Sequence, residues 1–248
     1  MYRFNTRIPY SETGTDMKLR ADALIDNFQN CSTFQTIDSP VGMDVLKERG
    51  LAWVINSWQI DINRLPSLGE RVIVGTIPYE MKGFLGLRNF FMDTEEGERL
   101  AAANSVWSLI NIEKASPVRV TPDIMAAYPL DERLDMEYLP RKLVIPGDDK
   151  GAECTSFTIQ EKHLDSNLHV NNVQYIRMAL DCIAQEKGEK RTPVRIRADY
   201  RQQARLGDEV IPRIFTDDQG DGRAVYLVTL DNTDKSAYAV VEITVSGS

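Results

Sequence analysis

The chain has 248 residues, 42% hydrophobic and 27% charged, with a formal net charge of −8. That is long enough for one large or two small domains, and the composition is ordinary for a globular protein with a sizeable core. The acidic balance argues against a general nucleic-acid binder, and no apolar run is long enough to span a bilayer.

Residues 4–10 read as a short strand. Met1-Tyr-Arg-Phe-Asn-Thr-Arg7 contains no apolar h-region, so no signal peptide is expected. Asp16 is a plausible N-cap for a helix over 17–31, whose broad apolar face carries Leu19, Ala23, Ile25 and Phe28. A second short helix is expected over 41–49, ending at Gly50. Strands follow over 51–62, 71–79, 85–93 and 100–112, an antiparallel meander that the first helix would cover. Thr121-Pro122-Asp123 reads as a capped helix start that must stop near Pro129. Residues 129–152 are charged and proline-containing, and read as a linker between units over 1–128 and 153–248.

The second half repeats the plan. A strand is expected over 156–162, a helix over roughly 171–187, and strands over 195–203, 209–215, 223–231 and 237–245. Leu68-Gly69-Glu70-Arg71-Val72-Ile73 matches Leu206-Gly207-Asp208-Glu209-Val210-Ile211, an offset of 138 residues. Asp16 and Asn167 both precede the long helix, at an offset of 151. Two matching helix-plus-meander units point to an internal duplication.

Polar chemistry is not duplicated. His163-Leu-Asp165-Ser-Asn167-Leu-His169-Val-Asn171-Asn172 holds both histidines of the chain and leads into the second helix. The first half has Asp16 and Lys18 where the second has Asn167 and His169, and Leu65 in place of Gln203. One active site per chain is therefore expected, contributed by the second half and facing an apolar first half. His169 is the best neutral-pH base in it. Asp165 or Asn167 would orient the imidazole, as the third member of a triad does. Gln203 or Asn167 would orient the water or donate to the oxyanion. Backbone N–H groups near Val170 and Asn171 are the remaining expected donors. The same residues also admit a plainer reading, with Asn167 a helix cap and His169 a solvated first-turn residue. No metal site is expected, because His163, Asp165 and His169 lack a further ligand cluster. Cys31, Cys154 and Cys182, odd in number and widely spaced, fit a reducing cytoplasm better than a disulfide framework.

Asp165-x-Asn167-x-His169-Val-Asn171-Asn172-x-x-Tyr175-Ile resembles the D-x-N-x-H-V-N-N-x-x-Y-I signature of the acyl-acyl carrier protein thioesterases of plants and bacteria. Ser105-Val-Trp107-Ser-Leu-Ile is similar to a strand of that family's first half. Tyr200-Arg201-Gln202-Gln203 stands at its Y-R-R-E-type strand end. The resemblance covers nearly the full length. It implies an α+β double hotdog fold, in which two tandem repeats each wrap a long helix in an antiparallel sheet. It also implies hydrolysis of the thioester joining a fatty acyl chain to acyl carrier protein, with no cofactor. Asp165, Asn167 and His169 carry over as the polar triad. Gln203 stands where many relatives have a catalytic glutamate, and an amide cannot serve as a base. Ala204 stands where plant members often have cysteine, which rules out an acyl-cysteine intermediate there.

Trp53, Trp58, Trp107, Met43 and Phe28 are candidate walls for the acyl chain, although any one of them taken singly reads first as ordinary core. Arg195, Arg197 and Arg201 share one parity of a strand, with Arg205 and Lys162 nearby, a candidate patch for acidic carrier protein. An acyl-CoA thioesterase, a hotdog dehydratase or hydratase, and a non-catalytic acyl- or carrier-protein-binding module stay open as alternatives. Two repeats in one chain make a homodimer optional.

Overall fold

The computed structural model describes residues 1–147, 151–188, 192–218 and 223–246. The described chain forms two compact units, Met1–Leu139 and Pro140–Ser248. Each is a hotdog, a long helix wrapped by an antiparallel sheet, so the fold is an α+β double hotdog.

In the first unit the elements are β1 (Tyr2–Arg7), α1 (Ala21–Ile37), α2 (Met43–Glu48), β2 (Leu51–Ile62), β3 (Arg71–Lys82), β4 (Leu85–Thr94), β5 (Arg99–Asn111), β6 (Ser116–Pro117) and α3 (Pro122–Ala127). The strand order is β1-β3-β4-β5-β2, with β6 on β5. The expected meander is thus corrected in one respect. Only β3–β5 follow one another, and β2 pairs with β5 rather than β3. The 63–70 connection carries the chain from one side of the sheet to the other.

Helix α1 begins at Ala21, four residues later than expected, and Asp16 is not its cap. Asp16 instead accepts the Lys18 N–H (3.1 Å) inside a tight loop closed by the Thr13–Leu19 bridge. Met17 takes a left-handed φ of 62° there, which forces the turn before the helix can start. α1 then buries Leu24, Ile25, Phe28 and Cys31 against the sheet. Thr121 and Pro122 open α3 as the sequence suggested. Residues 130–139 fold back on the unit's other face. There Asn89 accepts the Leu134 N–H (3.0 Å) and the Tyr138 hydroxyl (3.0 Å).

The second unit contains β7 (Ala152–Glu153), β8 (Phe157–Thr158), α4 (Asn172–Lys187), β9 (Pro193–Tyr200), β10 (Glu209–Asp218), β11 (Ala224–Asp231) and β12 (Ala237–Val245). Its order, β9-β12-β11-β10-β7 with β8 on β10, reproduces that of the first unit. The duplication extends to the register. Trp58 faces Ser105 and Ile60 faces Ala103 in one unit, while Ile196 faces Ile243 and Ala198 faces Val241 in the other. All four positions move by the same 138 residues. Residues 219–222, between β10 and β11, lie outside the described residues. The strand expected over 156–162 shortens to Phe157–Thr158, because a 3-10 turn takes over at Glu161–His163.

Cys154 and Cys182 are joined by a disulfide, their Cα atoms 6.6 Å apart. This corrects the expectation of three unpaired thiols. A separation of 28 residues does not reveal that the segment after β7 lies against α4. Cys31 is free and buried.

Candidate active site

The His163–Asn172 stretch folds as a tight loop leading into α4. Leu164 and Val170 form an antiparallel bridge, and the Asp165 N–H donates to the His169 carbonyl (2.8 Å). Leu168 sits at φ 61°, as Met17 does in the first unit. The loop is therefore part of the duplicated frame, but its side chains are not.

Asp165 organises this loop. Its Oδ1 accepts the backbone N–H of Asn167 (2.8 Å) and of His169 (3.2 Å). A carboxylate holding two amides in this way fixes the backbone that carries His169. Its partners are thus not the imidazole that was expected to lean on it. The His169 ring, partly buried, forms no hydrogen bond among the described residues. Asn167 and Gln203 are exposed, and their side chains are likewise open.

The two amides expected as oxyanion donors are already engaged. Val170 N–H reaches the Ala204 carbonyl (3.4 Å) and Asn171 N–H the His163 carbonyl (2.9 Å). The reason is local: both residues precede the helix, which starts at Asn172. The Asn171 side chain is the N-cap and accepts the Val173 N–H (3.0 Å), displacing Asn167 from that role. Asn172 N–H is left as the first-turn donor without a partner among the described residues.

The backbone brings the segments that carry His169 and Gln203 together. Val170, next to His169, binds Ala204, next to Gln203. Ala204 N–H in turn donates to the Tyr175 hydroxyl (2.9 Å) on α4. Tyr175 is buried, and burial pushes its hydroxyl up to about 12, so it stays protonated at neutral pH. Tyr200 donates its hydroxyl to the Asn172 carbonyl (3.0 Å). Sequence reasoning assigned neither tyrosine a role. The available signal was a hydroxyl-bearing ring on the apolar face of a helix, which needs a polar partner when buried.

His163 is accounted for structurally. Its Nδ1 accepts the Gln160 N–H (3.0 Å), which leaves the proton on Nε2. Burial first, then Lys162 and Arg177, lower its pKa and favour this neutral form. Among the described residues no group of His, Cys, Asp and Glu is arranged to hold a metal ion.

The candidate acyl walls fall on one face of the first sheet. Trp58 is 2% exposed and packs on Phe90 (4.9 Å), Phe28 (6.3 Å) and Trp107 (6.5 Å). Trp53 stacks edge-on against Tyr128 (6.5 Å). Met43 is half exposed at the start of α2.

The expected basic patch is largely neutralised. Arg197 pairs with its cross-strand neighbour Glu242 (2.8 Å) and binds the Pro140 carbonyl (2.6 Å). Arg201 pairs with Asp199 (3.1 Å) and binds the Leu143 carbonyl (2.7 Å). Both fasten residues 140–143 to the second sheet. Lys162 and Arg205 stay exposed with no ion pair among the described residues.

The chain matches the family described as acyl-ACP thioesterase N-terminal domain over residues 1–128, and its C-terminal domain over 148–243. It is 27% identical over 252 residues to the chloroplastic acyl-(acyl-carrier-protein) hydrolase FATB3 of Cuphea viscosissima, covering 93% of this chain and 59% of that protein. It is 29% identical over 175 residues to oleoyl-acyl carrier protein thioesterase 1 of Arabidopsis thaliana, covering 66% and 48%. The chain thus spans little more than half the length of the curated relatives it matches. Among solved structures, a putative oleoyl thioesterase from Lactobacillus plantarum superposes with a TM-score of 0.87 at 20% identity, covering 98% of this chain and 94% of that one. The 12:0-ACP thioesterase of Umbellularia californica gives 0.86 at 18% identity, covering 100% and 94%.

Proposed function

The chain belongs to the acyl-ACP thioesterase family, and from that premise we propose that it hydrolyses the thioester of a fatty acyl chain carried on acyl carrier protein. The observation that carries this reading is the His169 ring, without a hydrogen bond among the described residues and carried on a backbone that Asp165 clamps, in one repeat and not the other.

His169 takes a proton from a water as that water adds to the thioester carbonyl. The carbonyl oxygen becomes an oxyanion, which the Asn172 N–H and the carboxamide of Asn167 or Gln203 stabilise. One such donor contributes roughly 3–4 kcal/mol to the transition state. The carbon–sulfur bond then breaks. The imidazolium returns its proton to the leaving thiolate, and free fatty acid and thiol result. Asp165 acts through the backbone, by fixing the loop. Gln203 orients the water rather than activating it, since an amide has no basic site near neutral pH.

The acyl chain lies in the first unit, along the face that carries Trp53, Trp58 and Trp107. Each methylene buried there contributes about 0.8 kcal/mol. Acidic carrier protein docks against Lys162 and Arg205. The reaction takes place in the cytoplasm and needs no second copy of the chain.

The test is the release of thiol and free acid, in equal amounts, from acyl-carrier-protein and matched acyl-CoA. The reading requires release from both and a higher kcat/KM for carrier protein. Higher kcat/KM for CoA would reassign the substrate. Binding without release would leave a non-catalytic module, and hydration of an enoyl thioester without free acid would leave a hydratase.

A further inference from the structure

Three buried polar atoms inside the first unit have no hydrogen-bond partner. They are Nη1 of Arg88, Nε1 of Trp58 and Oε1 of Gln35. Trp58 is 2% exposed and Gln35 9%. Arg88 forms no ion pair among the described residues. Rings are its neighbours: its guanidinium carbon lies 5.9 Å from the Phe90 centroid and 5.7 Å from that of Tyr128. Burial lowers the Arg88 pKa to about 10, so the group is still a cation at neutral pH. Arg88 is half-buried with its Nη1 sealed from water; a cation so placed without a counter-charge is costly, and the aromatic faces offset only part of that cost.

The three groups share one interior. Arg88 on β4 faces Ser105 on β5, and Ser105 faces Trp58 on β2. Phe90, two residues along from Arg88 and so on the same face, packs on Trp58 and on Phe28 of α1 (5.5 Å). Gln35 lies on α1 beside Thr36, which accepts the Tyr128 hydroxyl (3.3 Å). Ser105 cannot satisfy its neighbours. Its hydroxyl donates to the Arg88 carbonyl (3.1 Å) and accepts the Trp107 indole N–H (2.8 Å).

The fold does not require polar groups here. The 138-residue offset places Tyr226, Ile243 and Ile196 in the equivalent row, in the same register. These are 2%, 1% and 0% exposed. One repeat fills the row with Tyr226 and two isoleucines, Lys187 lying over the Tyr226 ring at 5.6 Å. The other keeps a cation and an indole donor facing no acceptor.

We propose that the Arg88–Ser105–Trp58 row is a carboxylate-binding site inside the first unit, taking an amphiphile with one acid end. The guanidinium takes one carboxylate oxygen and the indole N–H the other. Rotation of the Gln35 carboxamide turns its NH2 toward the same group. Phe28, Phe90 and Tyr128 hold the chain. The carboxylate comes either from a free fatty acid or from an acyl chain oxidised at its far end. The site rests on the first unit receiving acyl chains, and not on hydrolysis.

The test is equilibrium titration of the full chain with decanoate and with methyl decanoate, followed by calorimetry and tryptophan emission. The acid should bind at least about tenfold more tightly than the ester, the scale of one charged hydrogen bond. Arg88→Met should abolish that preference and Trp58→Phe should reduce it. Equal affinity for acid and ester in the wild type overturns the proposal, whether or not the variants fold. So does a preference that survives Arg88→Met unchanged. Faster hydrolysis of an ω-carboxyacyl thioester than of its unsubstituted counterpart identifies the oxidised chain as the source. Inhibition by decanoate without that preference identifies free fatty acid. If thioester hydrolysis fails while acid-selective binding persists, the hydrolase reading falls and this site stands.

Discussion

Asp165 shows how a carboxylate beside a histidine takes a different job from the one expected. Its two backbone hydrogen bonds to Asn167 and His169 hold a loop in which Leu168 is forced to positive φ. Asp165→Ala should cost roughly 1.5–3 kcal/mol of stability, the scale of hydrogen bonds to a charged group. It should also lower kcat at least tenfold, as the imidazole loses its fixed platform. Urea unfolding and steady-state rates check both, and an intact kcat would remove Asp165 from the site. His163 makes a pH prediction. Its folded pKa is below the ordinary 6.5, because burial and two cations disfavour the charged form. The unfolded chain therefore protonates first. Stability from this group is complete above about pH 6.5. It is lost as pH falls through the folded value. Melting temperature should drop less steeply between about pH 7 and 5 in His163→Asn than in wild type. Identical slopes would rule out this titration.

The elements were largely legible. Strand 51–62 matches β2 at both ends, and strand 237–245 matches β12, because alternating apolar residues bounded by turn chemistry leave little ambiguity. Helix starts were not. Asp16 and Asn167 both look like caps in sequence, yet each lies in a loop whose turn is set by backbone pairing at a distance. The link between the segment after β7 and α4 was illegible for the same reason. Closing a 28-residue loop, the Cys154–Cys182 bond should contribute about 3.5 kcal/mol by constraining the unfolded chain. Reduction, or Cys182→Ser, should lower the unfolding midpoint of the oxidised protein accordingly. Coincident midpoints in oxidised and reduced protein would contradict this.

For the whole molecule, duplication was readable from Leu68–Ile73 and Leu206–Ile211, and the shared register of the two sheets extends it to every ladder compared. Legibility stopped where arginines were concerned. Arg197 and Arg201 looked like a docking face, but cross-strand Glu242 and adjacent Asp199 claim them. That leaves Lys162 and Arg205 to meet an acidic partner. Alanine at both should raise KM for acyl-carrier-protein several-fold and flatten its salt dependence, with acyl-CoA little affected. Unchanged salt dependence would place docking elsewhere. The duplication also supplies its own control, since Lys18 occupies in the first loop the place His169 holds in the second. The most direct measurement is kcat/KM for thiol release by His169→Ala and Lys18→Ala side by side. A general base is worth about 10²–10⁴-fold, so the first substitution should cost that much and the second less than about twofold. Comparable losses, or a His169→Ala protein as fast as wild type, would contradict a single catalytic imidazole in the second repeat.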